Sequence, residues 1–176
     1  MAGLTSQERL QPSLLDRLTD HDPRSRVESV DARVLTRQQL RAAVLRDLGW
    51  LFNTTRHEPS KSSTLEAERE RWEAATHARR SVLNYGLPSL TGETMGSLDF
   101  DAIERNVHDA LVAFEPRIDA ESLEVQISLD GGMRDHHNAL RLVIRGLMWN
   151  QPVPLEILLS ADVDVESGTV AIKDMR

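Results

Sequence analysis

The stretch LEVQISL, residues 123–129, decides the fold class. Every second residue from Leu123 to Leu129 is apolar, and the three residues between them, Glu124, Gln126 and Ser128, are polar. A side-chain period of two is typical of a β-strand that buries one face and exposes the other. The sequence therefore predicts that the chain changes to β-structure at about residue 122.

Three more strands are predicted downstream of this stretch. The four predicted strands cover residues 122–129, 140–149, 155–165 and 169–173. Pro152 and Pro154 fall between the second and third strands, where proline suits a strand start or a sheet edge. Because no helical pattern separates the strands, we expect them to form an antiparallel meander.

Upstream of residue 122 the apolar period is that of a helix. Helices are predicted from about residue 34 or 37 to 52, from 64 to 84 and from 99 to 114. Thr36 and Gln39 have the spacing of a capping box, and so do Ser63 and Glu66. Helices followed by consecutive strands predict an α+β fold, with N-terminal helices packed on a C-terminal antiparallel sheet of about four strands. Residues 1–33 are predicted to be a partly flexible N-terminal arm, and residues 34–176 a single domain.

Composition excludes several classes of protein. The 176 residues include no cysteine, which rules out a disulfide framework, thiol catalysis and cysteine-ligated zinc. The net charge is −7; residues 1–97 carry 14 basic and 13 acidic side chains, whereas residues 98–176 carry 7 and 15. The acidic second half argues against nucleic-acid binding. No apolar run is long enough for a membrane helix, and no secretory signal is evident, so we expect a cytoplasmic protein.

The sequence contains no recognisable catalytic motif. It has no glycine-rich phosphate loop, no G-x-S-x-G and no H-E-x-x-H. His136 and His137 are adjacent in a predicted loop, a spacing that rarely lets two side chains converge on one ion, so no metal or cofactor is expected. Glu104 and Asp109 lie five residues apart on a predicted helix and would point to different faces, unlike the paired carboxylates of a glycoside hydrolase. We therefore expect no enzymatic activity.

Two segments are candidate binding surfaces. Leu14, Leu15 and Leu18 form an apolar group in an otherwise polar arm, and burying each could contribute about 1.5–3 kcal/mol. This favours docking of the arm on a partner or on the domain; a disordered tail is the alternative. In Glu115-Pro116-Arg117, the proline ends a helix and fixes the relative direction of two opposite charges. The alternative for this segment is a helix end followed by a solvated ion pair of little energetic value.

Several stretches together resemble one known family. They are QPSLLDRLTDHDP (11–23), LRAAVLRDLGWLFNT (40–54), SVLNYGLPSLTG (81–92), FEPRI (114–118) and MWNQPVPLEILLSADVDVESGTV (148–170). In this order they resemble the TssE family of type VI secretion baseplate subunits, which is similar to the wedge protein of contractile-phage baseplates, once called lysozyme-like. The resemblance implies a non-enzymatic structural protein that connects the baseplate wedge to the first ring of the contractile sheath. A muramidase-like peptidoglycan hydrolase is the alternative.

The resemblance also implies partners and a location. The partners would be the wedge subunits TssF, TssG and TssK and the sheath subunits TssB and TssC, assembled at the inner face of the bacterial inner membrane without inserting into it. Glu115, Pro116 and Arg117 match the family's signature, which engages the helical core bundle of the wedge. With both charges taken as solvent-exposed, we expect Glu115→Ala or Arg117→Ala to leave the domain folded and to weaken wedge binding.

The C-terminal sheet is the expected contact with the sheath. Sheath subunits in related machines exchange strands, so the first ring needs a sheet edge on which to pair. We expect Val170 to lie on that edge and Val170→Pro to block sheath assembly. Self-pairing of the edge would be discouraged by prolines and acids, namely Pro152, Pro154, Asp162, Asp164 and Glu166.

Overall fold

The C-terminal part of the chain is a four-stranded antiparallel sheet. The computed structural model describes residues 13–19, 23–24, 35–57, 66–90, 96–128, 139–149 and 154–175. The strands are β1 (Glu124–Ser128), β2 (Ala139–Met148), β3 (Leu155–Asp164) and β4 (Val170–Asp174), and they lie in the order β1-β2-β3-β4. The predicted meander is confirmed, and with the helices upstream of it so is the α+β class.

Five α-helices precede the sheet in the described part of the chain. They are α1 (Leu14–Leu18), α2 (Arg37–Phe52), α3 (Glu66–Ala74), α4 (Thr76–Arg79) and α5 (Phe100–Phe114), and a 3-10 helix covers Val82–Asn84. The predicted capping box of α2 is present: the Thr36 hydroxyl accepts from the Gln39 N–H, and the Gln39 side chain accepts from the Thr36 N–H. Asp99 caps the start of α5, and its carboxylate accepts from the Ala102 N–H.

The core forms where α2 and α5 pack on the sheet. Each helix buries one apolar stripe: Leu40, Val44, Leu48 and Leu51 from α2, and Ile103, Val107 and Leu111 from α5. These stripes meet the buried side chains of the two central strands in one cluster, with α2 next to β4 and α5 next to β1. The two helices therefore pack on the buried face of the sheet, α2 near β4 and α5 near β1.

The prediction of one continuous helix over residues 64–84 is wrong. The chain leaves helical geometry at Ala75 (φ −82°, ψ 54°), resumes in the short α4, and turns into the 3-10 helix after Ser81. Helix α3 buries no side chain, so packing does not hold a long helix together. The Ser81 hydroxyl accepts from the Leu83 N–H and competes with the helical hydrogen bonds. The predicted cap Ser63 lies outside the described residues.

The expectation that acids blunt a sheet edge is wrong for Asp162. Strand β3 lies between β2 and β4, and Asp162 is opposite Arg141 on one side and Ala171 on the other. Its carboxylate accepts from Arg141 (2.6 Å) and from Lys173 (3.1 Å). The hydrogen bond from Arg141 is the main cause of the lowered pKa of Asp162. Pro154 immediately precedes β3, and Pro152 lies outside the described residues.

Gly86 is required by a close contact between two loops. The Leu87 N–H donates to the Thr54 carbonyl and the Arg56 N–H to the Leu87 carbonyl, both at 2.9 Å. Gly86 has φ +122°, and a Cβ atom there would lie 2.2 Å from the Thr54 carbonyl oxygen. We expect Gly86→Ala to lower the free energy of unfolding by about 2–3 kcal/mol through backbone strain. Urea denaturation measures this; Gly49→Ala is the control because a Cβ at Gly49 meets no atom within 4 Å.

Candidate functional site

The turn that follows α5 brings the three signature residues together. Glu115 leaves helical geometry (φ −122°, ψ 74°), as expected for a residue before proline. Its N–H still donates to the Leu111 carbonyl, and its carbonyl accepts from the Ile118 N–H at 3.1 Å. The turn is thus fixed at both ends, with Pro116 exposed at its tip.

The charges of this turn bind each other inside the protein. Arg117 folds back and its Nε donates to Glu115 Oε1 at 2.5 Å, while its Nη2 donates to Glu115 Oε2. The Arg117 main-chain N–H also donates to Glu115 Oε1 at 3.2 Å. Glu115 is only 2% exposed. The expectation of a solvent-exposed pair is therefore wrong for Glu115, and the pair is a bidentate bridge with one buried member.

Asp47 of α2 ties the turn to the rest of the domain. Its Oδ2 accepts from Arg117 Nη2 at 2.6 Å. The Tyr85 hydroxyl lies 3.4 Å from the Asp47 carbonyl, and its ring packs edge-on against Phe114 with the centroids 5.1 Å apart. Burial disfavours the charge of Arg117, but the hydrogen bonds and charges of Glu115 and Asp47 outweigh it and raise the pKa of Arg117. Burial, with help from the same two carboxylates, raises the pKa of Tyr85.

The same network continues into the N-terminal arm. Arg46 Nε donates to Asp47 Oδ1 at 2.9 Å, and Arg46 Nη1 donates to Asp16 Oδ1 in α1 at 2.6 Å. Partial burial alone would raise the pKa of Asp16, but hydrogen bonds from Arg46 and Ser13 lower it. We call the alternating series Asp16, Arg46, Asp47, Arg117 and Glu115 the charge chain. It connects α1 to the turn after α5 through adjacent residues of α2.

The three arm leucines keep much of their surface exposed. Leu14 and Leu18 are 73% exposed and Leu15 is 42% exposed. The half-exposed Trp50 lies under the Arg46 guanidinium, 5.3 Å from the ring centroid. Asp16 thus provides an ion pair between α1 and α2. The leucines are open to a partner, and their role as partner contacts stays a prediction.

The two edges of the sheet differ in how they are covered. At the β1 edge, the Ile127 N–H donates to Glu104 Oε1 of α5 at 2.7 Å. At the β4 edge, the Asn53 side chain forms two hydrogen bonds with the main chain of Val170. Further along β4, the Asp174 carboxylate pairs with Arg41 of α2. Val170 therefore lies on an edge strand, as expected, but its own main-chain groups are occupied.

Sequence reasoning missed the residues of α2 that organise these sites. Arg46, Asp47 and Asn53 contact, respectively, the arm, the turn after α5 and β4. The sequence signals are weak: an adjacent Arg-Asp pair in a helix resembles a solvated pair, and an asparagine directly after a helix is typical of a helix end. Glu104, considered above as a possible catalytic carboxylate, is a cap on a strand edge.

The surroundings of Glu115 do not suit acid catalysis. Glu115 would be the natural acid of a muramidase, but both of its oxygens accept from Arg117 and it has almost no exposed surface. A general acid must reach the substrate. Among the described residues, no three metal-ligating side chains come together. His136 and His137 lie outside the described residues.

The chain matches a known protein family. Residues 38–153 match the family model of the baseplate wedge protein gp25. No curated protein and no solved structure gives a significant match. In the described part of the chain, no helix combines the length and the apolarity needed to cross a membrane.

Proposed function

Because the chain belongs to the baseplate wedge protein gp25 family, we propose that it is the wedge subunit of a type VI secretion system. Its family role is that of a structural component in a phage-tail-like baseplate. In the proposed assembly it works in the cytoplasm, at the inner face of the inner membrane. There it connects TssF, TssG and TssK to the first sheath ring of TssB and TssC and templates sheath polymerisation.

The observation that carries the proposal is an open position on the β4 edge. The Asp164 N–H donates to the Thr169 carbonyl at 2.9 Å and the Met175 N–H to the Leu158 carbonyl at 3.0 Å. Hydrogen-bonded pairs alternate along an antiparallel ladder, so Ala171 and Lys173 also bond to β3. The N–H and C=O of Ile172 point outwards, and no side chain of the described residues caps them. An extended segment of another chain can pair there.

The opposite edge carries a cap of the same kind. Glu104 occupies the outward N–H of Ile127, so a strand added to β1 would have to displace a carboxylate that α5 holds in place. Native sheets commonly protect edges that should stay unpaired. Each edge thus has one outward position capped by a helix side chain, and the choice of β4 rests on the open position at Ile172.

The wedge contact is assigned to the turn after α5 and the arm. Pro116 is exposed at the tip of the turn, and the Arg117 side chain keeps 22% of its surface exposed. Glu115 and Asp47 hold the guanidinium of Arg117 in one orientation, which makes them positioning residues for a contact made by Arg117. Leu14 and Leu18 add apolar surface at the other end of the charge chain. A helical bundle with apolar and acidic side chains fits such a surface.

A double variant tests the wedge contact without unfolding the domain. Replacing both members of a buried ion pair by apolar residues is often neutral for stability. We therefore expect Glu115→Leu/Arg117→Leu to fold and to bind co-expressed TssF, TssG and TssK at least about tenfold more weakly, which corresponds to about 1.4 kcal/mol. Pull-down at graded concentrations measures this, and Arg105→Leu, at an exposed position on α5, is the matched control. Unchanged binding by the folded double variant would reject the turn as a wedge contact.

A further inference from the structure

Asn53 pairs with β4 as a strand residue would. The Val170 N–H donates to Asn53 Oδ1 at 2.9 Å, and Asn53 Nδ2 donates to the Val170 carbonyl at 2.9 Å. In a hydrogen-bonded pair of an antiparallel ladder, two residues exchange the same two bonds. The amide of Asn53 therefore satisfies both outward groups of Val170 and takes the place of one residue of a neighbouring strand.

The orientation of this amide is fixed by its surroundings. Nδ2 also donates to the Gly49 carbonyl at 2.8 Å, so both of its hydrogens are used. A flipped amide would bring Oδ1 against the carbonyl oxygens of Gly49 and Val170 and would leave the Val170 N–H facing a donor. Asn53 is the residue that ends α2, and α2 is held to the core by its buried stripe. The amide is thus a rigid part of the domain.

The consequence is a boundary along the β4 edge. Val170 is closed to an incoming strand, whereas Ile172, the next outward-facing residue, is open. A strand that pairs with Ile172 can extend towards Met175, but in the other direction it meets the Asn53 side chain. Register is weakly specified on an open edge, because a shift by two residues keeps each side chain on its own face. A fixed obstacle at Val170 removes one of these alternatives.

We propose that Asn53 is a register stop: it fixes where a partner strand begins to pair with β4, so that the ladder starts at Ile172. This inference rests on the proposed pairing of a sheath strand with β4. It adds a specificity-determining residue, outside the sheet, that excludes the registers in which the partner strand also pairs with Val170.

The test maps the register by cross-linking in cells that assemble a sheath. A photoreactive phenylalanine analogue replaces Lys173, whose side chain is exposed on β4, and mass spectrometry identifies the sheath residue that it captures. With Asn53 present we expect capture of one residue position. In Asn53→Ala we expect capture of a second residue two positions away along the sheath strand, because the freed Val170 groups allow the shifted ladder.

Three further results decide the interpretation. Thr54→Ala is the matched control, since the Thr54 hydroxyl donates to the Trp50 carbonyl at the same helix end and should leave a single capture position. If Asn53→Ala does not fold, Asn53→Asp replaces it, because aspartate keeps the acceptor for the Val170 N–H but frees the Val170 carbonyl. A single, unshifted position in a folded Asn53 variant overturns the register stop alone. Absence of any sheath cross-link with Asn53 present overturns the proposed sheath contact itself.

Discussion

Arg117→Ala is expected to lower the free energy of unfolding by about 3–5 kcal/mol, the range found when one partner of a buried ion pair is removed. The reason is the position of Glu115, which is 2% exposed and directs both carboxylate oxygens at Arg117. Without the guanidinium, a buried negative charge would remain, and Asp47 would lose one of its two arginine partners. This replaces the expectation, based on exposed charges, that the alanine variant keeps its stability.

Urea denaturation followed by circular dichroism measures the effect. Glu115→Leu/Arg117→Leu is the informative comparison, because it removes the buried charge together with its partner and should recover most of the loss. Arg141→Ala is the control for a surface pair: Arg141 bridges Asp162 with 37% of its side chain exposed, and such pairs contribute about 0–1 kcal/mol. A loss below about 1 kcal/mol in Arg117→Ala, similar to that of the control, would show that the buried bridge does not stabilise the fold.

Periodicity correctly predicted the helices and strands that bury one face in the core. The apolar residues of α2 and β1 are the ones that become buried on folding. The ends of both elements were therefore predicted to within about two residues. The prediction of one helix over residues 64–84 was wrong because this condition is not met. Its apolar stripe is narrow and α3 buries nothing, so local hydrogen bonds at Ser81, rather than packing, decide where the helix stops.

The candidate site was predicted only partly. Its structure depends on contacts between residues that are distant in sequence. Glu115-Pro116-Arg117 was found from the proline and the two flanking charges. Its burial was not, because the partner Asp47 lies 70 residues away from Arg117 and nothing in the local sequence of either residue indicates the other. The hydrogen bonds between Asn53 and Val170 join residues that are 117 positions apart in the sequence. Single-sequence patterns report local structure, so such pairs become visible only in the folded chain.

Ile172→Pro is expected to abolish sheath assembly while the domain stays folded. Proline removes the N–H of Ile172, which points away from β3 and takes no part in the internal ladder, so a variant at this edge position keeps its own sheet. An incoming strand loses a main-chain bond at the position where its ladder would begin. Val170→Pro, the variant suggested by the sequence, is less clean, because it would also break the bond from the Val170 N–H to Asn53 Oδ1.

Ile172→Ala separates the main chain from the side chain in this experiment. The Ile172 side chain is half-buried against the core, so both variants lose apolar contact, but only proline loses the N–H. We expect fluorescent sheath tubes in cells with Ile172→Ala and none with Ile172→Pro, while both variants still co-purify with TssF, TssG and TssK. Normal tubes with a folded Ile172→Pro variant would show that the sheath strand does not pair at Ile172. Loss of tubes with Ile172→Ala as well would assign the sheath contact to the apolar side chain instead of the open edge.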